Sequence, residues 1–203
     1  MAQSYRSPTN DDISALISEL FMPFYQIERQ IDAPTTPNRR ENDAEHSWST
    51  AVLATALAAR IDPSLDPGLV CQLAVAHDLM EVYAGDTSIF AAESEHSTKR
   101  QREQAGVHQV RSRFSSFPWL AEMAQAVLDL ESPEARFVTA VDKLIALHYD
   151  HLTQLKYLNG MGYDYSHYLK SLNRPMVKAH RHPDIGRYYD QLLAQIRAEH
   201  EAG

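Results

Sequence analysis

Hydrophobic residues along the chain recur at three- and four-residue steps, a spacing that predicts helices from one end to the other. Between residues 11 and 30, Ile13, Leu16, Ile17, Leu20, Phe21, Phe24 and Tyr25 make one apolar face, with Asn10 or Asp11 placed to cap it. Pro23 is expected to bend or interrupt this helix, because it lacks a backbone donor and crowds the preceding turn. Periodicity then disappears from Asp32 to Asp43, where Pro34, Pro37 and the pair Arg39-Arg40 predict a loop. A second helix opens on the capping box Asn42-Asp-Ala-Glu45, continues to Ala59 and stops before Asp62-Pro63. Asp66-Pro67 supplies a cap and a first-turn proline for a third helix, which Gly85 ends.

The polar stretch from Glu93 to Arg113 resembles an exposed helix face, to which Val107 and Val110 add a modest apolar contribution. A short helix from Pro118 to Leu130 precedes Ser132-Pro133-Glu134, a cap, a first-position proline and an early acid. The helix they open is expected to carry Phe137, Val138, Val141, Leu144, Ile145, Leu147, His148, Leu152 and Leu155 along its buried side. Beyond Asn159-Gly-Met-Gly162, breakers alternate with helix signals up to a last helix from about Asp184 to His200. No repeat of fixed period occurs and strand-like alternation is scarce, so the expected fold class is all-α.

Composition narrows the function classes. With 203 residues, 44% of them hydrophobic, the chain can bury a sizeable core as one domain. A net charge of -8 argues against a nucleic acid polymer as partner, yet leaves room for a small anion wherever Arg and Lys are concentrated. No apolar run reaches the roughly 18 residues that span a bilayer, and the start Met1-Ala-Gln-Ser-Tyr-Arg lacks an apolar signal segment. No membrane contact and a cytoplasmic location are therefore expected. The single Cys71 sits on an apolar helix face and reads as a small core residue.

The candidate chemistry lies where ionisable side chains interrupt apolar faces. His77 and Glu81 are four residues apart and would share one face of the third helix, whereas Asp78 is rotated by roughly 100° from His77. Asp142 has Val138, Ile145 and Tyr149 as stripe neighbours, so its carboxylate should point to the core, while Lys143 should point elsewhere. With His46 in the first turn of the second helix, two imidazoles and two carboxylates form a mixed nitrogen and oxygen donor set. Such a set suits one divalent metal, Mn, Co, Fe, Ni, Zn or Mg, with positions left for water and substrate. His96 and His108 are expected to be exposed, and the His180-x-His182 pair to face solvent.

Three separated pieces carry a resemblance to the HD-domain metal-dependent phosphohydrolases, nearest to the 5'-deoxynucleotidase-like branch. They are Arg39-Arg-Glu-Asn-Asp-Ala-Glu-His46-Ser47, His77-Asp78-Leu-Met-Glu81-Val-Tyr-Ala-Gly85-Asp86, and Phe137-Val-Thr-Ala-Val-Asp142-Lys143. The resemblance implies a single HD-domain helical bundle, with a core over about residues 11–160 and a helical extension over about 161–200. It implies that His46, His77, Asp78 and Asp142 bind one divalent metal, that Glu81 acts as general acid or base, and that Asp86 helps to place a sugar. Arg39, and Arg29 upstream, would bind the substrate. Relatives in this branch follow the upstream arginine with an aromatic residue, but Gln30 stands here, which leaves the choice of sugar open. The expected reaction is attack of a metal-bound water on a nucleoside 5'-monophosphate. A di-iron oxygenase that recruits His96 or His108, and a metal-stabilised binding protein, remain as alternatives. The apolar helical surface makes a homodimer the expected assembly.

Overall fold

The computed structural model describes residues 7–36 and 38–202; the polar start over residues 1–6, and Pro37, lie outside the described residues. Helix α1 (Asn10–Leu16) is capped by Thr9, whose hydroxyl accepts from the Asp12 amide while the Asp12 carboxylate accepts from the Thr9 amide. A π-helical turn (Ile17–Phe21) and α2 (Met22–Phe24) follow, so the interruption expected at Pro23 takes the form of a widened turn just ahead of the proline. The segment expected to be a loop instead holds an antiparallel pair, β1 (Glu28–Asp32) and β2 (Arg40–Asn42). The pair is short and irregular in register, so neither strand displays the alternation that marks a strand in sequence.

Helix α3 (Asp43–Ile61) begins with the full capping box between Asn42 and Glu45. Helix α4 (Pro67–Ala76) is capped by the Asp66 carboxylate, which accepts from the Gly68 and Leu69 amides. It stops at His77 instead of running on to Gly85. The His77 Nδ1 donates to the Ala74 carbonyl at 2.7 Å, taking an acceptor that the Asp78 amide would have used in a continuing helix. The chain turns through Leu79 to Ala76 and Glu81 to Asp78 hydrogen bonds, then re-enters helix as α5 (Glu81–Ala84), closed by Gly85 at φ +72°.

Helices α6 (Glu93–Arg113), α7 (Pro118–Asp129) and α8 (Pro133–Leu152) come next. The C-terminal segment breaks into α9 (Tyr157–Met161), α10 (Tyr165–Ser171), α11 (Asn173–Ala179) and α12 (Pro183–Ala202). The fold is all-α, with one small hairpin.

Two apolar cores stabilise it. The larger joins α3, α4 and α8 to the C-terminal helices through Val70, Leu73, Phe137, Leu147, Ile185 and Tyr189. The smaller joins Leu20 and Phe24 to Met80 and to the inner faces of α6 and α7. Gly106 is what lets α6 approach the turn after His77: a Cβ there would lie 2.5 Å from the Met80 carbonyl oxygen. His182, expected in solvent, is half-buried instead; its ring meets Phe137 edge-on, and its Nε2 lies 3.3 Å from an Asp62 oxygen. Among the described residues, no helix is long and apolar enough to cross a membrane.

Candidate metal centre and active-site cavity

The four candidate ligands come from three local devices. His46 is delivered by the first turn of α3, His77 and Asp78 by the turn that ends α4, and Asp142 by the middle of α8. His46, His77 and Asp142 each offer a ligand atom within 4.8 Å of the others. His46 Nε2 is 3.0 Å from Asp142 Oδ1, and the two imidazole rings stand 5.4 Å apart. Asp78 Oδ2 is 3.1 Å from His77 Nε2 and also groups with Asp43 and Glu81.

The tautomers follow from the neighbours. A carbonyl can only accept, so His77 Nδ1 carries hydrogen, and a neutral His77 ring turns the lone pair of Nε2 towards the other ligands. His46 Nδ1 faces Glu41 Oε2 at 3.3 Å, leaving Nε2 for the centre. A carboxylate behind an imidazole in this way orients a metal-ligating histidine. His77 Nε2, Glu81 Oε2 and both Asp43 oxygens are buried without a hydrogen-bond partner. Buried polar atoms are rarely left so, and a divalent cation would satisfy this donor set.

The ligand side chains polarise one another. Burial disfavours the His77 imidazolium, but Asp78 and Asp142 outweigh it and raise His77 to about 9. Burial likewise disfavours the Asp142 carboxylate, yet Lys143 and the His46 hydrogen bond hold it well below the usual range. For Asp78, burial is again outweighed, by His77 and Arg29, and the group stays ionised. The proton on His77 is what an arriving metal would displace.

Glu81 and Asp43 behave in the opposite way. Burial first, then the negative charge of Asp78, pushes Glu81 well above its ordinary value and Asp43 up to about 8. Glu81 Oε1 accepts from Lys99 at 3.0 Å, and Lys99 also pairs with Glu103 at 2.9 Å. Arg29 sits among Glu41, Asp43 and Asp78 at 3.4, 3.6 and 3.2 Å. Burial disfavours its guanidinium charge, but Asp86, Asp78, Asp142 and Glu41 outweigh burial and keep it charged.

These groups open on a cavity of about 420 Å³. His77, Asp78, Glu81, Asp86 and Asp142 line it, as does Arg29. Arg39 is placed elsewhere: its guanidinium grips both oxygens of Glu45 at 2.8 and 2.9 Å, outside the cavity lining. Lys143, expected to point away, turns back onto Asp142 Oδ2 at 2.6 Å, because an ammonium beside a buried carboxylate gains more there than in solvent. His96 also departs from expectation and lines the cavity, whereas His108 does not.

Sequence reasoning missed Glu41 and Asp43, which are 2% and 0% exposed. Both flank the capping box, where acids are ordinary, so nothing set them apart. Lys99 and Lys178 were also missed, because a lysine beside other polar residues reads as surface.

A closed helical bundle holding an imidazole and carboxylate centre at the base of a charged cavity defines a metal-site fold of known type. The HD domain family matches residues 26–183, and the chain belongs to that family. Among solved structures, one described as a predicted metal-dependent phosphohydrolase from Magnetospirillum magnetotacticum MS-1 is 25% identical with a TM-score of 0.73, covering 93% of this chain and 97% of its own. A conserved hypothetical protein from Pyrococcus furiosus is 19% identical with a TM-score of 0.60, over 94% of this chain and 99% of its own. A protein from Pyrococcus horikoshii OT3 is 17% identical with a TM-score of 0.58, over 93% of this chain and 98% of its own. The last two share the fold. No curated protein matches the chain.

Proposed function

We propose that the protein is a metal-dependent phosphohydrolase of the 5'-deoxynucleotidase-like kind, releasing phosphate from nucleoside 5'-monophosphates. The observation that carries this reading is the convergence of His46, His77 and Asp142 within 4.8 Å, beside a buried Glu81 whose Oε2 has no partner. The similarity to the Magnetospirillum phosphohydrolase supports the same class.

His46, His77, Asp78 and Asp142 would hold one divalent ion. When bound, such an ion makes water more acidic and polarises a phosphoryl oxygen. The chain's own residues do the rest. Glu41 orients His46 through Nδ1, and the Ala74 carbonyl orients His77. Lys99 fixes one oxygen of Glu81, so the other is free to give a proton to the leaving ester oxygen or take one from the attacking water. Water adds to phosphorus, the ester P–O bond breaks, and nucleoside and inorganic phosphate leave. Asp86, in the cavity wall just past the end of α5, would meet the sugar.

Asp43, Asp78 and Glu81 form a second group with ligand atoms within 4.8 Å, which is what a dinuclear oxygenase reading would need. Arg29 weighs against it, since its guanidinium already supplies positive charge to Asp43 and Asp78. Metal analysis together with phosphate release from a panel of nucleotides tests the reading. One ion per chain and turnover lost in Asp78→Ala are expected. Two irons per chain, or normal turnover by that variant, would overturn it.

A further inference from the structure

The cavity is richer in cations than a metal centre requires, and most of them are already engaged. Arg29 is held by Glu41, Asp43 and Asp78, Lys99 by Glu81 and Glu103, and Lys143 by Asp142. At the rim, Arg100 pairs with Asp129 and Arg174 with Glu93. Lys178 and Arg181 differ: among the described residues neither side chain makes an ion pair or a hydrogen bond, both line the cavity, and of the two Lys178 is the less exposed.

Its position is built. Lys178 lies on α11, which packs across α8, and its neighbours Pro175 and Ala179 are buried. This anchors the lysine stem and brings its ammonium into the field of Lys143 and Lys99. Lys143 first, then burial, then Lys99 push Lys178 down to about 8, the direction expected of a cation crowded by cations. Asp142 and Glu103 offset this only in part, since they are already paired with Lys143 and Lys99, so an anion that enters beside Lys178 meets a cation with no carboxylate of its own. Arg39 cannot play that part, since it lies outside the cavity lining and is gripped by Glu45.

We infer that Lys178 is the principal phosphate-binding side chain of the cavity, delivered to the metal end by the C-terminal helices. This rests on the phosphohydrolase reading for its substrate, a phosphomonoester, but not for the binding event itself. Residues 173–179 thereby gain a role in the site: α11 lines the cavity where it packs on α8 and carries the charge that recognises the anion.

The test is calorimetric titration of the metal-loaded full-length protein with inorganic phosphate, alongside steady-state kinetics on a nucleoside 5'-monophosphate. Lys178→Gln should weaken phosphate binding and raise KM by roughly ten- to a hundredfold, the loss of one hydrogen bond to a charged group, with a smaller change in kcat. Lys178→Arg should restore most of the affinity. Lys170→Gln, which removes an exposed lysine from α10, serves as the charge-matched control and should bind phosphate as the wild type does. If Lys178→Gln melts early, Lys178→Met keeps the apolar stem and loses only the charge; the same loss of affinity is expected. Unchanged phosphate affinity in the folded Lys178 variants, or no phosphate binding by the wild type, overturns the inference. Phosphate bound through Lys178 with no phosphoester hydrolysed would overturn the hydrolase reading and leave this subsite standing.

Discussion

Asp142 and Asp150 lie on the same helix, α8, eight residues apart, both buried and both lining the same cavity. Burial pushes both carboxyls towards the neutral form, and only their partners separate them. Asp142 faces His46, His77 and Lys143, all able to carry positive charge, and is held well below its ordinary range. Asp150 accepts from the Tyr168 hydroxyl at 2.8 Å and is hydrogen-bonded by Tyr157, both neutral donors, so burial prevails and raises it to about 7. The same residue type in one helix thus serves two ends of a cavity. Charged partners prepare one for a cation, and neutral partners make the other a packing joint between α8, α9 and α10.

The largest effect should come from breaking the charged end. Asp142→Ala removes a proposed ligand together with the partner of His46 and Lys143, and elemental analysis should find the metal gone and phosphate release with it. Asp150→Asn should retain the metal, since no histidine or lysine depends on it. Equal metal loss in the two variants would erase the distinction.

A change of a few kcal/mol is expected next, from pH. The Asp150 pKa is raised in the folded protein from 3.8 to about 7, so the native state binds more protons than the unfolded chain between those values. Stability contributed by this group is therefore present at about pH 4 and lost as pH rises through 7, by up to about 4 kcal/mol. Denaturant titrations of the wild type and Asp150→Asn should show the difference between them shifting in the variant's favour as pH rises. A difference independent of pH would mean that Asp150 is already ionised in the folded protein.

Sequence reading reached the helices whose ends carry local chemistry. Asn42 with Glu45, Asp66-Pro67 and Ser132-Pro133 are caps that act within four residues, and all three mark helix starts in the structure. It failed where the deciding contact is a single non-periodic one. The break after Ala76 depends on one histidine nitrogen taking a carbonyl, while apolar residues continue at helical spacing through Leu79 and Met80. His46, His77, Asp78 and Asp142 stood out because polar residues interrupt apolar faces there. Glu41 and Asp43 did not, because they sit in a segment that is polar anyway, and Lys178 did not, because a single lysine in a short helix reads as surface; only tertiary packing buries the two acids and sets the lysine in the cavity wall.

The charged end can also be disturbed from behind. Gly106→Ala would set a methyl group against the Met80 carbonyl, and α6 cannot retreat without loosening Lys99 from Glu81. A loss of about 1–3 kcal/mol is expected in thermal or denaturant unfolding, the usual cost of overpacking. Asp150 packs away from α6, so the pH-dependent difference between wild type and Asp150→Asn should survive in this background.

The smallest effect tests the neutral end directly. Tyr168 is fully buried, and its hydroxyl donates to Asp150, a bond that lowers the Asp150 pKa against the pull of burial. Tyr168→Phe keeps the ring and removes that donor, so about 1 kcal/mol should be lost. The sign of its pH dependence is fixed by the same contact. An ionised carboxylate accepts more strongly than a neutral carboxyl, so the deficit of Tyr168→Phe relative to the wild type should grow as pH rises through 7. Tyr157 still donates to Asp150, which keeps the change small, and metal content should be untouched because this network contains no proposed ligand. A deficit that does not change with pH would show that Asp150 is held ionised, as Asp142 is, and the contrast between the two carboxyls would fail.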